Sequence, residues 1–413
     1  MTDIINQLAG ISTGDNLDAM RDLRPDAKEN AEVTFRALLE PADDTALSYG
    51  ERYAVAAFVA GVFQVDTAAD FYLDLLGDAA DETVIAATRR ANAKGRGRGP
   101  LHQVGYVSFQ DIKGLGERLA AAFDFAHLLV FHPVDAHPAA LGHLEQAGLD
   151  ADGIVSLAQL VSFLSFQVRV VHGLRVLNGA ASSEKAEDAC TAGGQADTAS
   201  HGVADPGWEL FGDVRIPDVH APEGFVNHSL GWKPWIPAVG KDAMTQAQID
   251  SLIKRERIDN EYFRLLARDP EALKARTKTD LDIFYNTNGG MGRAERELAA
   301  TVVSRFNGCV YCASVHQARC VKEGGDREVV DRLLDEGVEA DVGSPSWAAI
   351  RDAAVALTRT PIAFSGEHVA ALRDAGADDV VVIDAINSAS FFNWANRLML
   401  TLGEPDVPKR FRN

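Results

Sequence analysis

The stretch "RAERELAATVVSRFNGCVYCASVH" (293–316) has the pattern of two helices separated by the pair Asn307-Gly308. On both sides of that pair, apolar residues recur three and four positions apart, as they do on the buried face of a helix. Because Asn-Gly breaks helices, we expect a second helix to begin near Cys309 and to fold back along the first. Three of the four cysteines of the chain lie between 309 and 320. The stretch therefore predicts a helix pair that carries a cysteine cluster.

The remaining segments extend the helical pattern to the whole chain. "LSYGERYAVAAFVAGVF" and "MTQAQIDSLIKR" have apolar residues at helical spacing, and each begins with a capping box. The boxes pair Ser48 with Glu51 and Thr245 with Gln248. Alanine is abundant and Val/Ile/Thr alternation is scarce, which predicts an all-α fold. The aromatic segment "GWKPWIP" (231–237) is expected to be a loop packed against the helices.

Composition limits the partners and the compartment. A formal charge of −20 argues against nucleic acid or an anionic membrane surface, because phosphate binding needs clustered Lys and Arg. The N-terminal residues show no signal-peptide pattern, and no stretch approaches the roughly 18 uninterrupted apolar residues of a membrane helix. Three clustered cysteines do not form a secreted disulfide framework. We therefore expect a cytoplasmic protein without a membrane partner.

The domain organisation follows from one low-complexity stretch. Residues 181–206 are small, polar and acidic, so they cannot bury enough surface to offset their ordering entropy. This predicts two helical domains, 1–180 and 223–413, joined by a flexible acidic linker over 181–222.

The two domains are predicted to be duplicates. Residues 147–169 align without gaps to 375–397, with Ala, Gly, Asp, Ser, Phe and Arg at matching positions. A fainter match sets 50–59 beside 294–303. Carried forward, this alignment places four residues without thiol chemistry at the positions of the C-terminal cysteine cluster, namely Val65, Ala68, Tyr72 and Leu76. We expect no redox chemistry from the N-terminal domain.

A zinc site is the first alternative for the cysteine cluster. The offsets from Cys309 to Cys312, His316 and Cys320 place all four residues on one narrow stripe of a helix. At the helical rise, Cys309 and Cys320 would lie about 16 Å apart along the axis, so the four cannot surround one tetrahedral ion. The spacing predicts no metal site there. His132, His137 and His143 lie in a proline-containing segment that is expected to be a loop and not a metal cage.

Thiol redox chemistry fits the spacing better. Cys309 and Cys312 share one face of the first helical turn, where backbone N–H groups and the helix dipole stabilise a thiolate. His316, one turn beyond Cys312, can accept or return the thiol proton. Glu297 on the preceding helix would need a buried partner, for which an imidazole or a water is suited. Cys320 is too far along the helix to take part.

These residues carry a pattern of Glu, eleven residues and Cys-x-x-Cys-x-x-x-His, which resembles the carboxymuconolactone decarboxylase and alkylhydroperoxidase D superfamily, in its peroxidase-related branch. The resemblance implies all-helical, oligomeric proteins with the active site near helix interfaces. It implies that Cys312 is the attacking thiolate, that Cys309 is the resolving thiol, and that Glu297 and His316 relay protons through water. The sequence departs from alkylhydroperoxidase D at Tyr311, where that family can carry a second histidine.

The sequence thus predicts a thiol-dependent reductase of small organic hydroperoxides that uses no cofactor and takes electrons from a lipoyl or thioredoxin-like dithiol. Two alternatives remain open at this point. One is a disulfide exchanger that acts on a protein or lipoyl partner, and the other is an assembly module that senses redox state. The decarboxylase branch fits less well, because it has no need of a CxxC pair.

Overall fold

The structure is a computed structural model that describes residues 3–102, 105–180 and 205–412. Most of the predicted linker, 181–204, lies outside the described residues. The next stretch, 205–222, contains no helix or strand, and it contacts both halves. Its later residue His220 exchanges hydrogen bonds with Asp406 and Val407, whereas its first residues contact the N-terminal half. There the indole of Trp208 stacks on the imidazole of His143 with ring centroids 4.9 Å apart. The boundaries of the two domains stay a prediction.

Helices build nearly all of the fold, as predicted, and the described residues contain 18 α-helices. They are α1 (Ile4–Ala9), α2 (Asn16–Arg21), α3 (Pro25–Leu39), α4 (Tyr49–Val62), α5 (Asp66–Ala79), α6 (Glu82–Gly95), α7 (Gly116–Phe131), α8 (Pro138–Gln146), α9 (Ala151–Leu177), α10 (Gln246–Ser251), α11 (Glu261–Leu266), α12 (Pro270–Tyr285), α13 (Arg293–Phe306), α14 (Val310–Lys322), α15 (Arg327–Glu336), α16 (Pro345–Thr358), α17 (Gly366–Asp374) and α18 (Asp379–Thr401). Both predicted capping boxes are present, at Ser48 and at Thr245. The all-α class is confirmed.

One small sheet interrupts the helical pattern. Strand β1 (Gly231–Pro234) pairs antiparallel with β2 (Gly403–Asp406), with Gly231 opposite Asp406. The prediction of a loop over 231–237 was therefore wrong for its first four residues. The pairing partner is about 170 positions away, so the local sequence carries no signal of it.

Two long helices form the centre of the core. Helix α9 packs along α18, and aromatic rings fill the contact between them. The ring centroid of Trp394 lies 5.3 Å from that of Phe163 and 5.6 Å from that of Phe166. Helix α9 is long and apolar enough to cross a membrane, but its most apolar window is entirely buried in the fold. Such composition is also typical of a core helix that is buried on all sides.

Gly173 provides a test of how closely α9 and α18 pack. A Cβ at this position would lie 2.8 Å from Cγ2 of Ile386. We expect Gly173→Ala to lower the free energy of unfolding by about 1–2 kcal/mol, because overpacking outweighs the gain in helix propensity.

Gly77, an exposed glycine in α5, is the matched control. A Cβ there meets nothing within 4 Å. Gly77→Ala should therefore raise the free energy of unfolding by about 0.5–1 kcal/mol. Urea unfolding followed by circular dichroism measures both, and an equal gain at the two positions would show that the helices are not in close contact.

Each half of the chain caps the C-terminal end of a helix in the other half. Arg169 on α9 donates from Nε to the carbonyl oxygen of Leu357 at 2.7 Å and from Nη2 to that of Thr358 at 2.9 Å, at the end of α16. Arg397 on α18 donates from Nη2 to the carbonyl oxygen of Val130 at 3.1 Å, in the last turn of α7. Burial, and then the charge of Arg397, lower the pKa of Arg169 well below its usual range. These reciprocal hydrogen bonds satisfy carbonyl groups that have no intrahelical partner at the end of a helix.

Two further contacts join the halves. Gly99 and Thr360 exchange two backbone hydrogen bonds, each 2.8 Å long. Arg24 donates to the buried carboxylate of Asp384, from Nε at 3.0 Å and from Nη2 at 2.7 Å. The halves therefore share a core and a set of buried polar contacts.

The helix starts agree with the aligned segments. Helices α4 and α5 begin at the positions that the alignment pairs with the starts of α13 and α14. Helices α9 and α18 also begin at paired positions, each capped by an aspartate side chain, Asp150 and Asp378. The duplication itself remains a prediction.

Candidate active site

The turn between α13 and α14 positions the cysteines. Gly308 has a φ of 79°, in the left-handed region that favours glycine. A Cβ at Gly308 would also lie 2.7 Å from Cγ2 of Val134, a residue of the N-terminal half. Cys309 follows as the N-cap residue of α14, and Cys312 lies in the first turn. The predicted helix break and the predicted helix start near Cys309 are both confirmed.

Buried amides hold this turn against α18. Asn307 donates from Nδ2 to Oδ1 of Asn396 at 3.1 Å and to Oδ1 of Asn393 at 3.3 Å. Asn396 in turn donates from Nδ2 to Oγ of Ser304 at 3.1 Å. All four side chains are buried, so the network fixes the position of Cys309 from both helices.

The two thiols lie beneath the surface. Cys309 is 1% exposed and Cys312 is 5% exposed, and both are free cysteines. Burial, and then a hydrogen bond with the Cys312 thiol, raise the pKa of Cys309 well above its usual range; the backbone N–H of Cys312 and the side chain of Asn396 oppose this only in part. The expected stabilisation of a Cys309 thiolate by the helix N-terminus is therefore outweighed. Cys309 is held as a thiol.

Glu297 and His316 are in direct contact. Nδ1 of His316 makes a short hydrogen bond to Oε2 of Glu297, whose side chain is 0% exposed. Because a carboxylate only accepts, this bond assigns the hydrogen to Nδ1 and leaves Nε2 as the basic nitrogen. The resemblance implied a relay through water, whereas here the carboxylate orients the imidazole directly.

Arg293 completes this pair. It lies one turn before Glu297 and donates from Nε to Oε1 at 2.8 Å. Its guanidinium stacks on Tyr285, 3.8 Å from the ring centroid. Burial alone would raise the pKa of Glu297, but His316 and then Arg293 outweigh it, and the pKa lies below its usual range. Arg293 was missed in the sequence, although its spacing of four residues from Glu297 was a usable signal.

Aromatic side chains form one wall of the site. The ring centroid of His316 lies 4.2 Å from that of Phe392 and 6.0 Å from that of Phe284. Phe391 in turn lies 6.0 Å from Phe284. This apolar wall lowers the local dielectric around the imidazole and the thiols.

The other two groups near the cysteines are held neutral. Burial, and then the charges of Glu297 and Glu295, raise the pKa of Cys320 to about 12, and its Sγ donates to the carbonyl oxygen of Ala294 at 3.3 Å. Burial raises the pKa of Tyr311 to about 12 as well. The Tyr311 phenol therefore cannot act as a base at neutral pH.

The N-terminal half has the same helix pair without this chemistry. Val65 is the N-cap residue of α5, as Cys309 is of α14. Tyr72 donates a short hydrogen bond to Gln167, and Tyr53 occupies the position that the alignment pairs with Glu297.

The three histidines of the 132–143 segment share aromatic neighbours, because Tyr106 contacts His132 and His137 and Trp208 contacts His137 and His143. His143 lies in α8, not in a loop as predicted, and its Nε2 is 3.0 Å from Oδ2 of Asp124. Nδ1 of His132 is 3.4 Å from Oδ2 of Asp135. In the ranges that the structure describes, no group of three or more His, Cys, Asp or Glu side chains could hold a metal ion.

Comparison with known proteins found one similarity that includes the site. A search of curated proteins found no match to the chain. Residues 270–358 match the model of the carboxymuconolactone decarboxylase family. The matched segment runs from the start of α12 to the end of α16 and includes Glu297, Cys309, Cys312 and His316. Residues 270–358 of the chain are therefore similar to the carboxymuconolactone decarboxylase family.

Proposed function

We propose that the protein reduces organic hydroperoxides through a dithiol–disulfide cycle of Cys312 and Cys309. The observation that carries the proposal is the contact between Glu297 and His316, one helical turn from Cys312. A carboxylate that orients an imidazole beside a nucleophile is the arrangement that activates cysteine in other enzymes.

The cycle would begin at Cys312. His316 takes the thiol proton at Nε2, and the thiolate attacks the terminal oxygen of the hydroperoxide. The O–O bond breaks, the alkoxide takes the proton from the imidazolium and leaves as an alcohol, and the sulfur is oxidised to a sulfenic acid. Cys309 suits the second role, because its raised pKa makes it the poorer first nucleophile, and its hydrogen bond with the Cys312 thiol places it within reach of a sulfenic sulfur there.

The second half of the cycle restores the thiols. The Cys309 sulfur attacks the sulfenic sulfur and displaces hydroxide, which leaves as water with the Cys309 proton. A disulfide forms between Cys309 and Cys312. A dithiol donor of the lipoyl or thioredoxin class then reduces this disulfide and is itself oxidised. Burial of both sulfurs favours a small first substrate over the thiol of a folded protein.

Turnover of cumene hydroperoxide with dihydrolipoamide tests the proposal. We expect peroxide loss to require the donor, and mass spectrometry of the donor-free reaction to show a Cys309–Cys312 disulfide after one equivalent of peroxide. If peroxide is not consumed while the disulfide still exchanges with dithiols, the proposal fails and a disulfide exchanger takes its place.

A further inference from the structure

Arg276 on α12 is a buried cation without a polar partner. Its side chain is 6% exposed, and its Nε is buried without a hydrogen bond. Within the described part of the chain, no residue gives its guanidinium a hydrogen bond or an ion pair. It faces only two rings, with its central carbon 5.1 Å from the centroid of Phe391 and 5.7 Å from that of Trp394. Cation–π contact offsets only part of the cost of burying a charge.

The other buried arginines have hydrogen-bond partners, although Nε of Arg397 is itself without one among the described residues. Each donates at least one hydrogen bond to a carboxylate, a carbonyl oxygen or a side-chain oxygen; they are Arg21, Arg24, Arg52, Arg169, Arg296 and Arg397. The fold therefore supplies partners to buried guanidinium groups elsewhere and leaves Arg276 without one. An unpaired buried charge of this kind points to a ligand that brings the opposite charge.

A second unpartnered group lies beside it. Tyr262 on α11 is 8% exposed, and its hydroxyl is buried without a hydrogen bond. Burial raises the pKa of Tyr262; the charge of Arg276 lowers it, and Cys312, Tyr311 and then Cys309 raise it. The hydroxyl is thus a neutral donor that interacts electrostatically with Arg276 and with both thiols. The two rings beside Arg276 connect it to the site, because Phe391 lies 6.0 Å from Phe284, whose ring lies 6.0 Å from that of His316.

We propose that Arg276 and Tyr262 form a carboxylate subsite beside the thiols, so that the substrate is an organic hydroperoxide that also carries a carboxylate. The inference rests on the proposed function for the peroxide end of the substrate. The guanidinium fork matches a planar carboxylate, and the Tyr262 hydroxyl supplies a further donor.

The charges and aromatic rings around Arg276 predict the net charge and the apolar part of the ligand. One guanidinium charge is neutralised by one carboxylate, and the aromatic rings beside Arg276 suit an apolar body between the two reactive ends. Arg257 also interacts electrostatically with Arg276, and its own charge is offset in part by Asp280. No carboxylate of the protein competes for the guanidinium among the described residues.

The test compares two hydroperoxides that differ in one charge. The substrates are 4-carboxycumene hydroperoxide and its methyl ester, reduced with dihydrolipoamide. We expect the parent to prefer the acid by on the order of 10²-fold in kcat/KM, because the ester leaves the guanidinium unpaired. Arg276→Gln should bring the ratio of acid to ester close to one, Arg276→Lys should retain part of it, and Tyr262→Phe should lower it.

The ratio of kcat/KM for the acid to that for the ester distinguishes a role of Arg276 in substrate recognition from a role in folding. A purely structural role of Arg276 lowers both rates together and leaves their ratio unchanged, which would overturn the proposal. Arg373→Gln, a substitution at an exposed arginine of α17, should leave the ratio at the parent value.

A binding measurement tests the carboxylate subsite without peroxide chemistry. In Cys312→Ser, calorimetry should show that 4-isopropylbenzoate binds at least about tenfold more tightly than its methyl ester, and Arg276→Gln in the same background should remove the difference. If the acid binds but no hydroperoxide is reduced, the proposed function fails and the subsite stands. If both hydroperoxides are reduced equally and the acid has no binding advantage, the carboxylate subsite is contradicted and the proposed function is not.

Discussion

Cys312→Ser is expected to lower the turnover of cumene hydroperoxide by on the order of 10³-fold or more, because the hydroxyl cannot replace a thiolate nucleophile. Cys309 does not take over. Its pKa is raised well above the usual range by burial, and its side chain is almost completely enclosed. A stopped-flow assay of peroxide consumption, with dihydrolipoamide in excess, measures the loss.

Cys309→Ser distinguishes the two sulfurs. We expect this variant to consume one equivalent of peroxide and to accumulate a sulfenic acid at Cys312, which dimedone labels for mass spectrometry. Cys320→Ser is the matched control, because Cys320 is a buried thiol on the same helix whose pKa of about 12 keeps it protonated. If Cys309→Ser abolishes the first equivalent and Cys312→Ser does not, the roles of the two residues are reversed.

Glu297→Gln is expected to lower the free energy of unfolding by about 3 kcal/mol at pH 7, because it removes one charge of a buried cluster. Turnover should fall by on the order of 10²-fold or more, since the amide no longer assigns the hydrogen of His316 to Nδ1. Glu297 acts through the imidazole and is a positioning residue. Glu295→Gln, in the first turn of the same helix, is the control and should change turnover little.

The pH dependence of stability identifies Glu297 specifically. Its pKa is lowered in the folded state, so its contribution to stability is complete above the unfolded pKa, about 4.3, and is lost as the pH falls through the lower folded value. The difference in unfolding free energy between the parent and Glu297→Gln should therefore be constant at neutral pH and shrink in acid. A difference that does not change down to pH 2 would contradict the ion cluster.

The local patterns of the sequence predicted the parts of the site that lie close together in the chain. The Asn-Gly pair indicated the turn before Cys309, and the CxxC spacing placed both sulfurs at the start of α14. The partner of Glu297 was also within reach, because a helix pair with a short turn brings facing residues together. The raised pKa of Cys309 was not predictable, since it results first from burial in the folded chain.

The parts that were missed depend on distant segments. Arg276 and Tyr262 are ordinary helix residues in the sequence, and only the packing of α11, α12 and α18 reveals that both lack partners. Strand β1 required a partner from the C-terminal end of the chain. The contact of Trp208 with His143 likewise joins a residue of the predicted linker to helix α8 of the N-terminal half. Hydrophobic spacing predicts which face of an element is buried, but it does not predict which other element packs against that face.

The reciprocal arginine bonds bear on which substitutions the chain can tolerate. Because Arg397 donates to the end of α7, and Val134 a few residues later lies against Gly308, changes in the half without thiols are transmitted to the turn that holds Cys309. A substitution at Arg169 or in the 130–134 segment should therefore disturb the other half, although neither carries a thiol. We therefore expect selection to act as strongly on Arg169 and on residues 130–134 as on the thiols. Random mutagenesis scored for peroxide reduction should recover inactive variants at these positions.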